Sequence, residues 1–419
     1  MAITAVRGTN PISDEIELQA HLATLLRLEN VGLLLAAGAS VAAGGKTMFG
    51  LWDDFVLQHP DAGQWLDEHR FIDEAALAAP DDRVRPNVEQ LVDTLEIALS
   101  EWRREERAEV PELETARAAL FRSVVRAALL QESWWASPAG VEADEERLKH
   151  HRTILQKLVA ARQPGQASPW VFTTNYDLAV EWAAESIDLQ VVNGFIGTHS
   201  RRFSPQSFDM GFRNTQARGE ARFGVYNVYL AKLHGSLSWR EEGGQVFEVP
   251  APLAWQQIRP FLEDATKTDL GMMVLPRAAK YMQTVGFVLG ELFRRFSEFL
   301  SKAQTCLLVS GYGFGDEHIN RLLRSALLNP TLQLVIYFPE FTGDIAAANL
   351  PDALRKLLSL NNPRVTVVGG GANAYLDKVA AHLPDPLLYD QEMRRLEELL
   401  RKANDSSDAS GEADIEGLI

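Results

Sequence analysis

The sequence predicts a protein of the α/β class, in which a mostly parallel sheet carries helices on both faces and a large all-helical insertion interrupts the sheet. In the second half of the chain, short apolar runs alternate with helical patterns, as do the strands and crossover helices of a parallel sheet. The stretch between the first apolar run and the second shows only helical spacing. The chain has 419 residues, more than one core usually holds, which agrees with a large insertion.

The first third of the chain predicts one helix, one strand and then a helical segment. Ser13 and the acidic residues after it open a helix over 13–29, and "VGLLLAAGAS" (31–40) is an apolar strand that runs directly into small residues. From 52 to 163 the apolar positions repeat at three-and-four spacing, as in "NVEQLVDTLEIALSEWRRE" and "RLKHHRTILQKLVAARQ". We therefore predict a helical insertion over 52–163.

The remainder predicts strands separated by helices at 177–186, 285–302 and 316–327. The predicted strands are "WVFTTN", "LQVVNGF", "YNVYLAKLHGS", "GMMVLP", "TCLLVSGYG", "LQLVIYF" and "RVTVVGGG". Together with 1–51, the segment 164–380 is thus expected to form a Rossmann-like domain. An amphipathic C-terminal helix is expected over 381–403, and 404–419 is expected to be a disordered acidic tail.

Composition narrows the class of protein. The net charge is −16 and the pI is near 5.1, so most of the surface repels nucleic acid, although backbone amides at a helix N-terminus can still bind a phosphate locally. The one cysteine, Cys306, stands in an apolar run and is expected to be a buried core residue in a reducing cytoplasm. A single thiol cannot build a disulfide framework or a paired-cysteine zinc module. Because no signal peptide or membrane-spanning run is apparent, we expect a cytoplasmic protein.

The loops that follow the predicted strands carry the candidate site, because ligands of such sheets bind beyond the carboxyl ends of the strands. The first loop, "AAGASVAAGGK", has small side chains that would let a diphosphate approach backbone amides, but tight strand-to-helix packing would select the same residues. Its spacing fits neither a dinucleotide fingerprint nor a phosphate-binding P-loop. The loops "VSGYGFGDEHIN" and "VVGGGAN" are glycine-rich in the same way, and Asp316 in the former can cap the next helix.

Two further loops deliver polar side chains. In "TTNYD", Asn175 and Asp177 are two apart and would face the same side of an extended segment. Asp177 alone could be explained as a helix cap, but a cap does not explain Asn175. In "KLHGSLSW", His234 follows a strand; a lone histidine there is more often a core residue, but together with Asn175 it suits proton transfer.

The ordered set "AAGASVAAGG", "TTNYD", "LHGS" and "SGYGFGDEHIN" resembles the sirtuin superfamily, and specifically the bacterial sirtuin-like NAD⁺ hydrolases of antiphage defence, over roughly 31–373. The resemblance implies that Asn175 and His234 are catalytic, Asn175 positioning the ribose and the attacking water. It also implies that the substrate NAD⁺ is bound by Ala37, Gly38, Ala39, Ser40, Gly44, Thr173, Asp177, Ser310, Gly311 and Gly370, with no metal.

Two departures from the superfamily count against a protein deacylase. Deacylating sirtuins carry a four-cysteine zinc module, and they have "GIPDFR" where this chain has "GGKTMFG" (44–50). The resemblance therefore implies hydrolysis of NAD⁺ to ADP-ribose and nicotinamide, as the effector of an abortive-infection system. It also implies a homo-oligomer that partners a HerA-type ring ATPase. A non-catalytic NAD⁺ or ADP-ribose sensor remains the main alternative.

Several other polar residues have no clear assignment. Glu89 and Lys280 could reach the pocket, but nothing in their spacing requires it. The pair His150-His151 and the charge run 103–107 are expected to lie on solvated helix faces.

Overall fold

The computed structural model describes residues 3–137, 146–163, 165–212, 227–268, 270, 284–345, 347 and 350–385, and it has the predicted α/β architecture. Its main sheet has nine strands within those residues, in the order β2-β1-β13-β12-β11-β3-β4-β8-β5. These strands are β1 (Thr4–Arg7), β2 (Asn10–Ile12), β3 (Asn30–Leu35), β4 (Trp170–Thr173), β5 (Gln190–Val192), β8 (Asn227–Lys232), β11 (Thr305–Ser310), β12 (Leu332–Tyr337) and β13 (Val365–Gly369).

The helices flank this sheet and fill the segment between its first two parallel strands. They are α1 (Glu15–Leu25), α2 (Met48–Gln58), α3 (Pro60–Glu68), α4 (Val88–Arg104), α5 (Val110–Leu129), α6 (Glu132–Ala136), α7 (Lys149–Ala160), α8 (Ala179–Glu185), α9 (Ala251–Glu263), α10 (Thr284–Ser301), α11 (Glu317–Ala326), α12 (Asp352–Leu358) and α13 (Leu376–His382). The helices predicted at 13–29, 177–186, 285–302 and 316–327 are thus confirmed, with ends that differ by a few residues.

The central strands are apolar on both sides because helices cover both faces of the sheet. In β3, Val31, Leu33 and Leu35 belong to one buried cluster, whereas Leu34 belongs to the cluster on the opposite face. Alternate side chains of a strand point to opposite faces, so a strand covered on both sides reads as a continuous apolar run. Cys306 is fully buried in β11, as predicted, and burial raises the pKa of its thiol to about 12.

The strand order fixes where a ligand would lie. Counted along the chain from β3, the six strands β3, β4, β8, β11, β12 and β13 stand in the order 3-2-1-4-5-6, with all neighbouring pairs parallel. Strands β4 and β8 follow β3 along the chain and lie on one side of it. Strands β11, β12 and β13 come later in the chain and lie on its other side. The carboxyl ends of β3 and β11 therefore mark the switch point, the place at which such folds bind dinucleotides.

Two parts of the architecture were not predicted. Strands β1 and β2 extend the sheet in antiparallel fashion beside β13, and a four-stranded antiparallel sheet contains β6 (Phe195–Ile196), β7 (Arg201–Phe203), β9 (Trp239–Glu242) and β10 (Gln245–Glu248). These strands have two to four residues and mixed exposure, so they lack the apolar runs that revealed the central strands. The predicted strand "GMMVLP", the acidic tail and all but the first five residues of the helix predicted over 381–403 lie outside the described residues. Of those five, 381 and 382 end α13, and 383–385 are not helical.

Between 52 and 163, the described residues contain helices and no strand, and this agrees with the predicted helical character. The boundaries of the helical insertion and of the Rossmann-like domain stay a prediction. One part of the interpretation was wrong: His151 is only 3% exposed rather than solvated. It lies on the apolar side of α7 with Ile154 and Leu155, where α7 packs on the sheet. The run 103–107 is exposed, as predicted.

Candidate functional site

The loop after β3 is a 3₁₀ helix over Ala37–Ala43 that begins at the carboxyl end of β3, the strand paired with β11. The Gly38 amide donates to the Gly311 carbonyl at 3.0 Å, so the first loop and the loop after β11 meet backbone to backbone. A Cβ on Gly38 would lie 2.8 Å from Gly311 Cα, and a Cβ on Gly311 would lie 2.2 Å from the Ala39 nitrogen. Both glycines are therefore required by close approach, and Gly44 ends the 3₁₀ helix in the left-handed conformation, with φ 107°.

Asn175, Ser40 and Asp177 form a directed chain of hydrogen bonds. The Asn175 amide nitrogen donates to Ser40 Oγ at 2.8 Å, and Ser40 Oγ donates to Asp177 Oδ2 at 2.7 Å. Strand β4 ends at Thr173, so Asn175 and Asp177 do not lie in an extended strand, contrary to the reasoning from their spacing. Asn175 and Asp177 face the same side because each forms a hydrogen bond with Ser40.

The orientation of the Asn175 side chain follows from its partners. Its amide nitrogen also donates to the Ala36 carbonyl at 3.1 Å, and a carbonyl can only accept. The Asn175 backbone amide donates to Thr173 Oγ1 at 3.0 Å, which fixes the turn after the strand. With both amide hydrogens directed at Ala36 and Ser40, the side-chain oxygen remains to accept a hydrogen bond from a ligand or a water.

Asp177 is held inside the protein. It is 6% exposed, and its second oxygen accepts from the Ala179 amide at 3.0 Å, at the start of α8. The N-cap of α8 is Leu178, so Asp177 lies one residue before the cap. Its contacts favour a role in fixing Ser40 over direct contact with a ligand. Beneath it, Lys232 Nζ donates to the Asp177 carbonyl and lies 3.0 Å from Glu181, whose pKa is raised by burial to about 6.

His234 lies between two carboxylates. Its Nε2 is 3.0 Å from Asp316 Oδ2, and its Nδ1 is 3.5 Å from Glu89 Oε1. The other oxygen of Asp316 accepts from the backbone amides of His318 and Ile319, so Asp316 caps α11, as predicted, and binds His234 as well. Burial lowers the pKa of His234, but the Asp316 hydrogen bond and the charges of Glu89 and Asp316 more than offset this, so that its pKa is raised above 6.5.

The same three residues are the candidates for holding a cation. One ligand atom from each of Glu89, His234 and Asp316 lies within 4.8 Å of the others. His234 Nε2 is, however, at hydrogen-bonding distance from Asp316, and its Nδ1 is at ion-pair distance from Glu89. Protons on the ring nitrogens account for both contacts.

The strand register places Asn175 and His234 at the same level of the sheet edge. Thr173 pairs with Lys232 on the neighbouring parallel strand, and each polar residue lies two positions further on. Adjacent strands are about 4.8 Å apart. Among the described residues no hydrogen bond joins the two side chains: Asn175 reaches toward β3, and His234 reaches the loop that follows β11.

The remaining predicted residues divide into two groups. Ser310 is buried at the end of β11, where its carbonyl accepts from the Ala36 amide at 3.1 Å, beside Gly311. Gly370 has φ 83° and lies past the end of β13, three strands away from β3. Its amide donates to the Phe341 carbonyl, and among the described residues it does not contact the other predicted site residues.

A cavity of about 500 Å³ lies elsewhere in the molecule. It is lined by residues that include Arg7, His21 and Gln333. Gln333 is the second residue of β12, so this cavity lies at the amino ends of the parallel strands, opposite the candidate site.

Comparison with known proteins agrees with this geometry. Residues 169–358 match the family model described as the SIR2-like domain, so the chain contains such a domain over less than half of its length. A SIR2-like domain implies binding or processing of NAD⁺ and suggests an NAD-utilising enzyme. No curated protein matches the chain. The match includes Asn175, His234 and Asp316 but begins after Ser40, so the Ser40–Asn175 bond ties the domain to a loop outside the matched range.

Sequence reasoning missed two connections at this site. Asp316 was interpreted only as a helix cap, and Glu89 was left without a partner, although it lies 3.5 Å from His234. No sequence spacing links residues 89, 234 and 316. In the described part of the chain, no helix is both long and apolar enough to cross a bilayer.

Proposed function

We propose that this protein is an NAD⁺ hydrolase that cleaves the nicotinamide–ribose bond to give ADP-ribose and nicotinamide. The observation that carries the proposal is the Asn175–Ser40–Asp177 chain at the switch point of a 3-2-1-4-5-6 sheet, in a chain with a SIR2-like domain. The predicted roles of Asn175 and His234 in this reaction remain part of the proposal.

The chemistry needs an oriented acceptor and a base. As the C1′–N bond breaks, its electron pair neutralises the cationic pyridine ring and positive charge develops on the ribose, as in glycoside cleavage. The Asn175 side-chain oxygen is the group available to position the ribose or the water, whose oxygen bonds to C1′. The proton released by that water passes to His234 or to solvent, so the products are ADP-ribose, nicotinamide and one proton.

Incubation of the purified full-length protein with NAD⁺ tests the proposal by chromatography of the products. Equal amounts of nicotinamide and ADP-ribose are expected. Because misplacing a reacting group costs about 100-fold, Asn175→Ala should slow hydrolysis by at least that factor. Asn10→Ala makes the same change at an exposed position and should retain full activity. Undiminished NAD⁺ would reject hydrolysis, whereas equal rates for Asn175→Ala, Asn10→Ala and wild type would reject the role of Asn175.

The alternative of a non-catalytic NAD⁺ or ADP-ribose sensor is decided by the same assay together with calorimetric titration. A sensor binds the nucleotide and leaves it intact. Protein deacylation stays the less favoured enzyme activity, because one cysteine in the chain cannot build the zinc module.

We also propose, on the sequence resemblance alone, that the protein acts as a homo-oligomeric effector of antiphage abortive infection together with a HerA-type ring ATPase. Co-expression with a neighbouring ATPase gene, followed by affinity purification and mass measurement, tests the assembly. Recovery of the protein as a monomer without the ATPase would contradict it.

A further inference from the structure

The imidazole of His234 is restrained from two directions. Asp316, itself held by two backbone amides, binds Nε2, and Glu89 lies 3.5 Å from Nδ1. His234 and Asp316 are each 15% exposed, whereas the Glu89 side chain is 45% exposed. Asp316 therefore holds the inner side of the ring, and Glu89 stands on the side that is nearer to solvent.

Glu89 lies in a helical part of the chain that contributes no strand to the main sheet. It is the second residue of α4, within the predicted helical insertion. Asn87 caps this helix by accepting from the amides of Glu89 and Gln90 at 3.0 and 3.2 Å. A Cβ on Gly315 would lie 3.6 Å from the Asn87 side chain, so the start of α4 lies against the loop that carries Asp316.

The negative charges around His234 favour the protonated, positively charged form of its ring. Desolvation raises the pKa of Glu89, and the negative charges of Asp316 and Asp93 raise it further. The charge of His234 lowers it. Tyr176 and Tyr312, which also sense Glu89, have pKa values raised chiefly by burial and carry no charge near neutral pH. Phe293 of α10 contributes only an uncharged ring beside His234, with centroids 6.4 Å apart. The two carboxylates would repel each other without the imidazole between them.

We propose that Glu89 is a positioning residue for His234: its carboxylate holds the Nδ1 side of the ring while Asp316 holds the Nε2 side, so that α4 completes the reaction centre. This inference rests on the proposed NAD⁺ hydrolysis. It makes activity depend on the position of α4, because that helix carries Glu89.

The pH dependence of kcat and KM, measured on the full-length protein, tests this role. Since general-base catalysis contributes about 100-fold or more, partial loss of ring orientation in Glu89→Gln should lower kcat about tenfold and leave KM within about twofold. Removing the charge should also lower the pKa of His234, so the acidic limb of the profile should move to lower pH. Glu89→Asp keeps the charge and should keep the limb in place.

Glu101→Gln is the matched control. It removes the same charge from an exposed position of the same helix, twelve residues and about 18 Å along the axis from Glu89. Its kcat, KM and pH profile should equal those of wild type. If Glu89→Gln behaves like Glu101→Gln, the proposal is overturned.

Two measurements separate this inference from its alternatives. NMR titration of the His234 ring, assigned with His234→Gln, reports the effect of Glu89→Gln without any turnover. If NAD⁺ is never hydrolysed, the proposed function fails. If the His234 titration is the same in Glu89→Gln as in wild type, the contact between Glu89 and His234 is itself overturned. Activity that is lost in EDTA and restored by Mn²⁺ in wild type, but not in Glu89→Gln, would assign the three residues to a cation and overturn the positioning role.

Discussion

At the scale of single residues, the site depends on one hydroxyl. Ser40 is 3% exposed, accepts a hydrogen bond from Asn175 and donates one to Asp177. It thereby connects two residues that lie two positions apart in the sequence. The sequence identified all three as candidates. Only the fold shows that Ser40 determines the orientation of the other two.

Ser40→Ala should lower the free energy of unfolding by about 1–3 kcal/mol, because it leaves a buried carboxylate oxygen and an amide hydrogen without partners. Denaturant unfolding measures the loss. Ser325→Ala is the control: its hydroxyl is exposed and bonds only the Leu322 carbonyl, so the change should stay within about 0.5 kcal/mol. Equal effects of the two substitutions would contradict the importance of the Ser40 chain.

The His234–Asp316 pair predicts a pH-dependent stability. His234 has a raised pKa in the folded state, so its contribution is complete below the ordinary value of 6.5 and is lost as the pH rises through the folded pKa. Asp316 has a lowered pKa, so its contribution is present above 3.8 and is lost on acidification. The His234–Asp316 pair should therefore contribute most to the free energy of unfolding between pH 3.8 and pH 6.5.

Asp316→Asn tests this, because asparagine caps a helix about as well as aspartate and removes only the charge. The variant should lose about 1–2 kcal/mol relative to wild type near pH 5, and clearly less near pH 9, since charge-assisted hydrogen bonds are about twice as strong as neutral ones. Unfolding midpoints at the two pH values measure the difference. The same loss at both would show that the charge of the pair contributes nothing.

At the scale of elements, the two loops at the switch point are fitted to each other. Gly311 has φ 70°, and any side chain there would overlap the loop after β3. Gly313, two residues later, has open space around its Cβ position. The sequence shows two similar glycines, and the tertiary contact distinguishes them.

Gly311→Ala should therefore destabilise the protein by about 1–3 kcal/mol, the cost of a strained backbone position, and should reduce nucleotide binding through the displaced first loop. Gly313→Ala should change stability by less than about 0.5 kcal/mol. Thermal unfolding and NAD⁺ titration calorimetry measure both variants. If Gly313→Ala proves the more damaging, the assigned contact is wrong.

At the scale of the whole molecule, a buried imidazole lies where the helical segment meets the sheet. His151 of α7 is surrounded by apolar side chains, and burial lowers its pKa to about 4, with the charge of Asp177 acting in the opposite sense. Such a group is neutral in the folded state and binds a proton more readily when the chain unfolds. The free energy of unfolding should therefore fall as the pH is lowered from 6.5 toward 4.

His151→Leu should remove this acid sensitivity while it fills a similar volume. Wild type should lose stability relative to the variant as the pH falls from 6.5 toward 4, by up to about 1.4 kcal/mol per pH unit for one proton. Unfolding at a series of pH values measures the slope, with half-buried His150→Leu as the control on the same helix. A difference that does not vary with pH would contradict the buried neutral state.

The sequence by itself determined the central strands, because their apolar runs can be buried only in a sheet covered on both faces. It also determined the candidate loops, because small and polar residues interrupt those runs. The short antiparallel strands and the burial of His151 were decided by tertiary structure, since their patterns are too brief or too mixed to be distinctive. The contacts among Glu89, His234 and Asp316 were decided there as well. They join residues 82 and more positions apart, and only folding places such distant side chains within hydrogen-bonding or ion-pair reach.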